Sequence, residues 1–303
     1  MKKTLVFICL VFSLAAFSVP CLAADEGAGI ASCPYCGAQV SIGRRDTPSM
    51  GLVTCPKCGK EFNPEEKAEA CKDFSMGADA GFFSKYVSRG FVFNDRPVFQ
   101  PDVWAAYKWF TVSVWGSMDL TNRQGDNGEF KEFDYTLDYT NKYKDLTYSA
   151  GLIFYEFPNT ASKATREVYV GAAYDTLLSP KVKLYYDYGQ FHGFYSTMGI
   201  GHSFDLPEFS KSASACLQLG ATVGFASANY NKGNFVNETT GVGADHNAFT
   251  DAVATVSLPV TILDNFSFTP SVSYSTVLDR TLRTKIDQKD DNFIFGATLS
   301  AKY

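Results

Sequence analysis

A two-residue alternation of apolar and polar side chains constrains this chain more than any other feature. From Phe133 to Thr140 the sequence places Phe133, Tyr135, Leu137 and Tyr139 on one parity and Asp134, Thr136, Asp138 and Thr140 on the other. Successive side chains of a strand point to opposite faces, so this segment is a ribbon with one apolar and one wet face. A polar turn at 141–145 separates it from a second run that ends at Phe157. The pattern recurs in twelve runs, at 74–88, 97–107, 109–120, 131–141, 145–157, 166–178, 181–189, 194–206, 212–228, 248–261, 265–276 and 292–303. Most are near the ~9–11 residues with which a tilted strand crosses a bilayer. The expectation is all-β: an antiparallel, up-and-down transmembrane β-barrel of about 12 strands over 74–303, preceded by a small zinc ribbon.

Soluble β-sandwiches also alternate, and the links between the runs separate the two cases. Odd-to-even links at 121–130, 158–165, 229–247 and 277–291 are long, with 190–193 the exception. Even-to-odd links, around Lys108 and at 142–144, 179–180, 207–211 and 262–264, are brief. Outer-membrane barrels sort their loops this way, with both termini on the periplasmic side. A sandwich has no reason to.

The N-terminus supplies an address. Lys2 and Lys3 precede an apolar stretch from Leu5 to Phe17, and Cys21-Leu22-Ala23 ends in residues suited to cleavage, so 1–23 reads as a secretory signal peptide. Acylation on Cys21 is the rival reading, and Pro20 stands where a lipoprotein signal wants a small residue. Without Lys2 and Lys3, 25 of the 27 basic residues face 32 acidic ones. That balance gives no basic stripe for nucleic acid. The 26 Phe, 17 Tyr and 24 Gly suit a barrel facing lipid on one side and water on the other.

Between signal and barrel, 24–62 carries Cys33-Pro-Tyr-Cys36-Gly37 and Cys55-Pro-Lys-Cys58-Gly59. The two residues between the cysteines let both sulfurs face one point, and the glycine permits the turn that follows. Two such knuckles supply four thiolates in a tetrahedron, the closed arrangement of structural Zn2+, with Cys33, Cys36, Cys55 and Cys58 as ligands. The segment resembles a zinc ribbon. In an oxidising periplasm the same cysteines are also able to form two disulfides, or one pair to act in redox chemistry. Asn63-Pro64-Glu65-Glu66 has the signature of a helix start, which makes 63–73 a linker helix.

Ser84-Lys85-Tyr86-Val87-Ser88-Arg89-Gly90, with 97–102, Trp115-Gly116-Ser117, 152–158 and Glu167-Val168-Tyr169-Val170-Gly171, is similar to the TorF family of porins over roughly 74–303. The resemblance implies a channel-forming outer-membrane barrel. It does not extend to the ribbon.

If the wet parity faces the lumen, the pore-lining candidates are Asp102, Trp104, Lys108, Trp115, Asp119, Asp134, Asp138, Lys183, Asp187 and Asp251, with Asp79 and Gln100 nearby. Acids outnumber bases, so a weak cation preference is expected. Arg89 reads first as an interfacial cap of the opening strand, and second as a group reaching into the pore. His192, His202 and His246 converge with no nucleophile that spacing picks out, so no enzyme is expected. The functional expectation is passive diffusion of small solutes through an outer-membrane channel. The ribbon is then a structural appendage able to meet a periplasmic partner, and the alternative is a non-conducting barrel anchoring a ribbon that does the binding.

Overall fold

The computed structural model describes residues 30–32, 39–41, 53–62, 73–122, 125, 127–207, 213–237, 240–262, 265–285 and 289–303. Contacts divide the chain into two units, Met1–Ser75 and Met76–Tyr303. The signal segment, the linker at 63–72, Cys33 and Cys36 lie outside the described residues.

In the first unit β1 (Ile30–Ser32) pairs with β2 (Gln39–Ser41), and β3 (Val53–Thr54) with β4 (Glu61–Phe62). The turn between β3 and β4 is the second cysteine knuckle. Gly59 N–H donates to Cys55 O at 2.8 Å, Cys55 N–H donates to Lys60 O at 2.9 Å, and Gly59 has φ +72. That backbone conformation is one glycine adopts without a steric penalty. Cys55 is buried and Cys58 exposed.

The second unit is a closed antiparallel ring of twelve strands. They are β5 (Phe74–Phe83), β8 (Val98–Tyr107), β9 (Phe110–Asp119), β10 (Phe130–Tyr143), β11 (Leu146–Glu156), β12 (Thr165–Tyr174), β13 (Lys181–Asp187), β14 (Gly193–Asp205), β15 (Ala213–Ala226), an interrupted strand formed by β16 (Ala248–Ser257) and β17 (Val260–Ile262), β18 (Phe266–Val277) and β19 (Asp291–Lys302). Each pairs with its neighbours in sequence, and β19 pairs back on β5. Pro259, which has no N–H to give a ladder, falls at the interruption.

Alternation along β9 matches the two faces of this ring. Phe110, Val112 and Val114 are exposed outward, while Thr111, Ser113 and Trp115 are half-buried inward. The outward set continues around the ring through Tyr135, Leu137, Val168, Val170, Met198, Ile200, Phe293, Phe295 and Leu299, all exposed. Tyr107, Trp109, Tyr143, Tyr174 and Tyr303 gather at the end where the short turns lie. Both ends of the ring's chain are at that end too, where Met76 and Tyr303 exchange two backbone hydrogen bonds of 3.0 and 2.8 Å.

The expected opening strand of 74–88 is a correction. The ladder stops at Phe83, and β6 (Tyr86–Ser88) and β7 (Phe91–Asn94) form a hairpin apart from the ring. Arg89 and Gly90 both have positive φ, 50 and 85, the conformation of a two-residue turn between tightly twisted strands. A strand period that continues through such a turn hides it. The long links carry two short helices, α1 (Ala228–Asn234) and α2 (Arg280–Lys285). The apolar core of the unit sits there: Phe235, Ala244, Ala248, Val277 and Leu282 are buried together, with Phe91 of the hairpin against them.

Candidate functional site

The β6–β7 hairpin lies inside the ring and reaches across it. Arg89 at its tip forms a bidentate ion pair with Glu167 of β12, at 2.6 and 2.7 Å, and donates to Tyr230 of α1 at 2.7 Å. Tyr155 of β11 donates to the same carboxylate at 2.8 Å. The guanidinium carbon stands 4.7 Å from the Tyr185 ring, 4.5 Å from the Tyr195 ring and 5.7 Å from the Tyr230 ring. Tyr185 belongs to β13, which is six strands from β5 in either direction. A cation from one wall is therefore held in a box of aromatic faces and a carboxylate on the opposite wall. Each of these contacts strengthens as water is excluded, and Glu167's side chain is 3% exposed. Burial alone would lower the guanidinium's pKa, but Tyr230, Tyr155 and Glu167 raise it well above its ordinary value. The charge persists at every physiological pH.

Three further contacts fix the hairpin. Phe91 packs on Phe235, ring centroids 4.2 Å apart, and ties it to the mouth cluster. At its other end Asn94 donates to Asp119 of β9, and Tyr86 stacks on Phe93 and lies 5.6 Å from Trp115. Burial first, then Glu132 and Asp134, raise the Tyr86 phenol well above its ordinary pKa. It therefore stays protonated. Gly90 is required where it stands: a Cβ there would meet Asp251 Cβ at 3.2 Å and Val277 Cγ2 at 3.4 Å, from a backbone with φ +85. Above the hairpin, His246 and Asp279 join the links at 227–247 and 278–290 through a contact of 3.2 Å. The loop end of the ring is thus filled by hairpin, α1 and the mouth cluster.

The expected lining residues fall into four groups. Asp119, Asp134, Asp138, Lys183 and Asp251 stand on the inward parity in defined contacts: Tyr169 donates to Asp138, Lys183 Nζ is 4.0 Å from the Tyr169 ring, and Tyr195 donates to Asp251 at 3.1 Å. Asp102 and Asp134 flank Trp115 in one cross-strand row, and Trp104 covers Gly77 of β5. Asp187 is inward but consumed, accepting from Thr165 and from the backbone N–H groups of Gly189, Gln190 and Phe191. Lys108 is a correction. It occupies the exposed turn between β8 and β9 with φ 55, because a two-residue turn takes it out of the wall.

Arg89 is a second correction: it spans the lumen and caps no interface. Glu132, Tyr155, Glu167, Tyr185, Tyr195 and Tyr230 were absent from the expected set. The wet parity carried all but Tyr230, and tyrosine reads as apolar when parity is scored by hydropathy. Cys55 and Cys58 have the backbone turn a knuckle needs, and that turn fits the thiolate pair of a structural metal site.

Ring closure, an apolar outer belt and a polar inner wall define an up-and-down β-barrel. Among such barrels this one has a loop end occluded by its own first hairpin. No protein-family model matches the chain and no curated protein matches it, so the TorF resemblance rests on the motifs quoted above. In structure the chain is similar to the NanC porin, at 10% identity over 75% of this chain and 98% of that one with a TM-score of 0.41. It is similar also to an outer-membrane channel from Pseudomonas putida F1, at 9% identity over 76% and 94% with a TM-score of 0.42. The CymD monoaromatic hydrocarbon channel matches at 8% identity over 76% and 88%, with a TM-score of 0.34. The barrel assignment stands on this chain's own strand register.

Proposed function

We propose that this chain is an outer-membrane channel for passive diffusion of small solutes, closed at its extracellular mouth by the Arg89 hairpin. The observation that carries the reading is the outward belt. Each exposed Phe, Leu or Val forgoes ~1.5–3 kcal/mol of burial in water, and a continuous belt of them is stable only against lipid. The inward carboxylates and hydroxyls then face an aqueous lumen. The short-turn end, with both ends of the ring's chain and its tyrosine and tryptophan girdle, is the periplasmic side. The signal at 1–23 directs export.

Reconstitution into planar bilayers tests this. Discrete single-channel steps, lengthened in a chain lacking 85–96, are the expected result. Silence of both folded proteins rejects conduction. That outcome favours a second reading, for which the filled mouth is the specific support: a non-conducting barrel that anchors the 24–62 ribbon. In either reading Cys33, Cys36, Cys55 and Cys58 hold one structural zinc, which offsets the small core such a short segment can bury. The ribbon then presents itself to a periplasmic protein.

A further inference from the structure

A cavity of about 280 Å³ lies between the hairpin, the wall of β9 and β10, and the link after β11. Its lining includes Tyr86, Phe93, Ser117, Asp119, Lys131 and Glu132. Asp119 is 2% exposed, and its Oδ1 accepts from Asn94 while its Oδ2 makes no hydrogen bond. A buried carboxylate oxygen left without a donor is costly, and completing it is worth most to a charged donor. Glu132, 4% exposed, stands diagonally from it across the β9–β10 register. Lys131, the cation among the described lining residues, is already committed to Glu129 at 2.7 Å and to Asn159 O at 3.2 Å. The Phe93 ring, 44% exposed and stacked on Tyr86 at 4.9 Å, offers an aromatic face.

Carboxylates facing an aromatic pair are the elements from which proteins build sites for organic ammonium groups. Two residues further along β10, Asp134 and its row partner Asp102 each keep one buried oxygen without a hydrogen bond. At ~3.4 Å per residue this row lies about 7 Å from Glu132 along β10 and about 14 Å from Asp119 along β9, beyond the residues that line the cavity.

We infer that this cavity is a binding site for small organic amines, with Asp119 as the principal anchor, Glu132 beside it and Phe93 as the cation–π face. The inference rests on the water-facing lumen of the channel reading and not on conduction. Titration calorimetry of the folded full-length protein in detergent micelles tests it, with putrescine, glucose and Mg2+ as probes. Putrescine is expected to bind, glucose and Mg2+ not. Asp119→Asn, which keeps the shape and the Asn94 contact, is expected to weaken putrescine at least tenfold, and Phe93→Ala, at an exposed ring, several-fold. Each variant is first checked for the heat-dependent gel shift of a folded barrel. If Asp119→Asn fails that check, Phe93→Ala decides. Absence of putrescine binding, binding unchanged in the variants, or glucose binding of equal strength overturns the inference. A barrel silent in bilayers that still binds putrescine removes conduction and leaves the amine site standing.

Discussion

Replacing Arg89 with alanine removes a residue that bridges the ring's diameter. It withdraws two charge-assisted hydrogen bonds, at 2.6 and 2.7 Å, and a guanidinium from between three tyrosine rings. It also leaves Glu167 with its charge facing an emptied box. Removing one partner of a buried pair costs about 3–5 kcal/mol, mostly through the charge left behind. At 1.4 kcal/mol per tenfold, this shifts the docked-to-undocked equilibrium of the hairpin by roughly two to three and a half orders of magnitude. The ring's own ladders are untouched, so the barrel is expected to fold and the loss to appear locally. In planar bilayers the open probability of Arg89→Ala should rise at least tenfold, and in intact vesicles proteases should cut within 84–97. Glu167→Gln should act in the same direction. The double variant Arg89→Ala/Glu167→Gln should lose less than the sum of the two single changes, because it removes both charges. Arg96→Ala, at an exposed arginine, is the control. Additive effects, or an Arg89→Ala protein whose conductance and cleavage match that control, would refute the latch.

Three other expectations follow from the geometry. Gly90→Ala puts a Cβ into a left-handed turn 3.2 Å from Asp251, and should loosen the hairpin by about 1–3 kcal/mol, read as increased cleavage at 84–97. Purified protein should carry one zinc per chain by elemental analysis, and Cys55→Ser should abolish it while leaving the barrel's gel shift intact; full occupancy in that variant would remove Cys55 from the ligand set. Burial pushes the Asp279 carboxyl up, but the Leu282 N–H, His246 and the Thr281 N–H together bring it below its ordinary pKa. A group depressed on folding contributes stability above its unfolded pKa and loses it as pH falls through the folded value. Protease sensitivity of the 278–290 link should therefore rise between neutral pH and pH 3, and Asp279→Asn should flatten that dependence.

The ring was legible because its physics is local and repeated. Phe110 to Asp119 alternates in sequence as it does in space, and two-residue turns at 108–109 and 144–145 are visible as brief polar gaps. The latch was not legible, for two reasons. Tyr86 to Asn94 continues the strand period, so only Arg89-Gly90 hinted at a turn, and an arginine is rare at such a φ. The partners of Arg89 lie 66 to 141 residues away, on the opposite wall and on α1, and alternation says which face a residue takes without saying what it meets there. Asp187 shows the same limit: its inward parity was readable, its backbone partners were not. Glu167 could have been singled out as an acid between Thr165 and Tyr169 on a wet face, had an unpaired inward arginine been sought for it.

The seam between the first and last strands has a bearing on biogenesis. Ser84 and Phe295 hydrogen-bond across it although 211 residues separate them. Until the final segment has left the secretion apparatus, β5 has a mate only on its β8 side, and two raw edges invite pairing with other chains. Such long-range closure is slow, so the nascent polypeptide needs an escort while it waits. A chain truncated before Asp291 should accumulate as sticky, protease-labile material instead of a smaller pore.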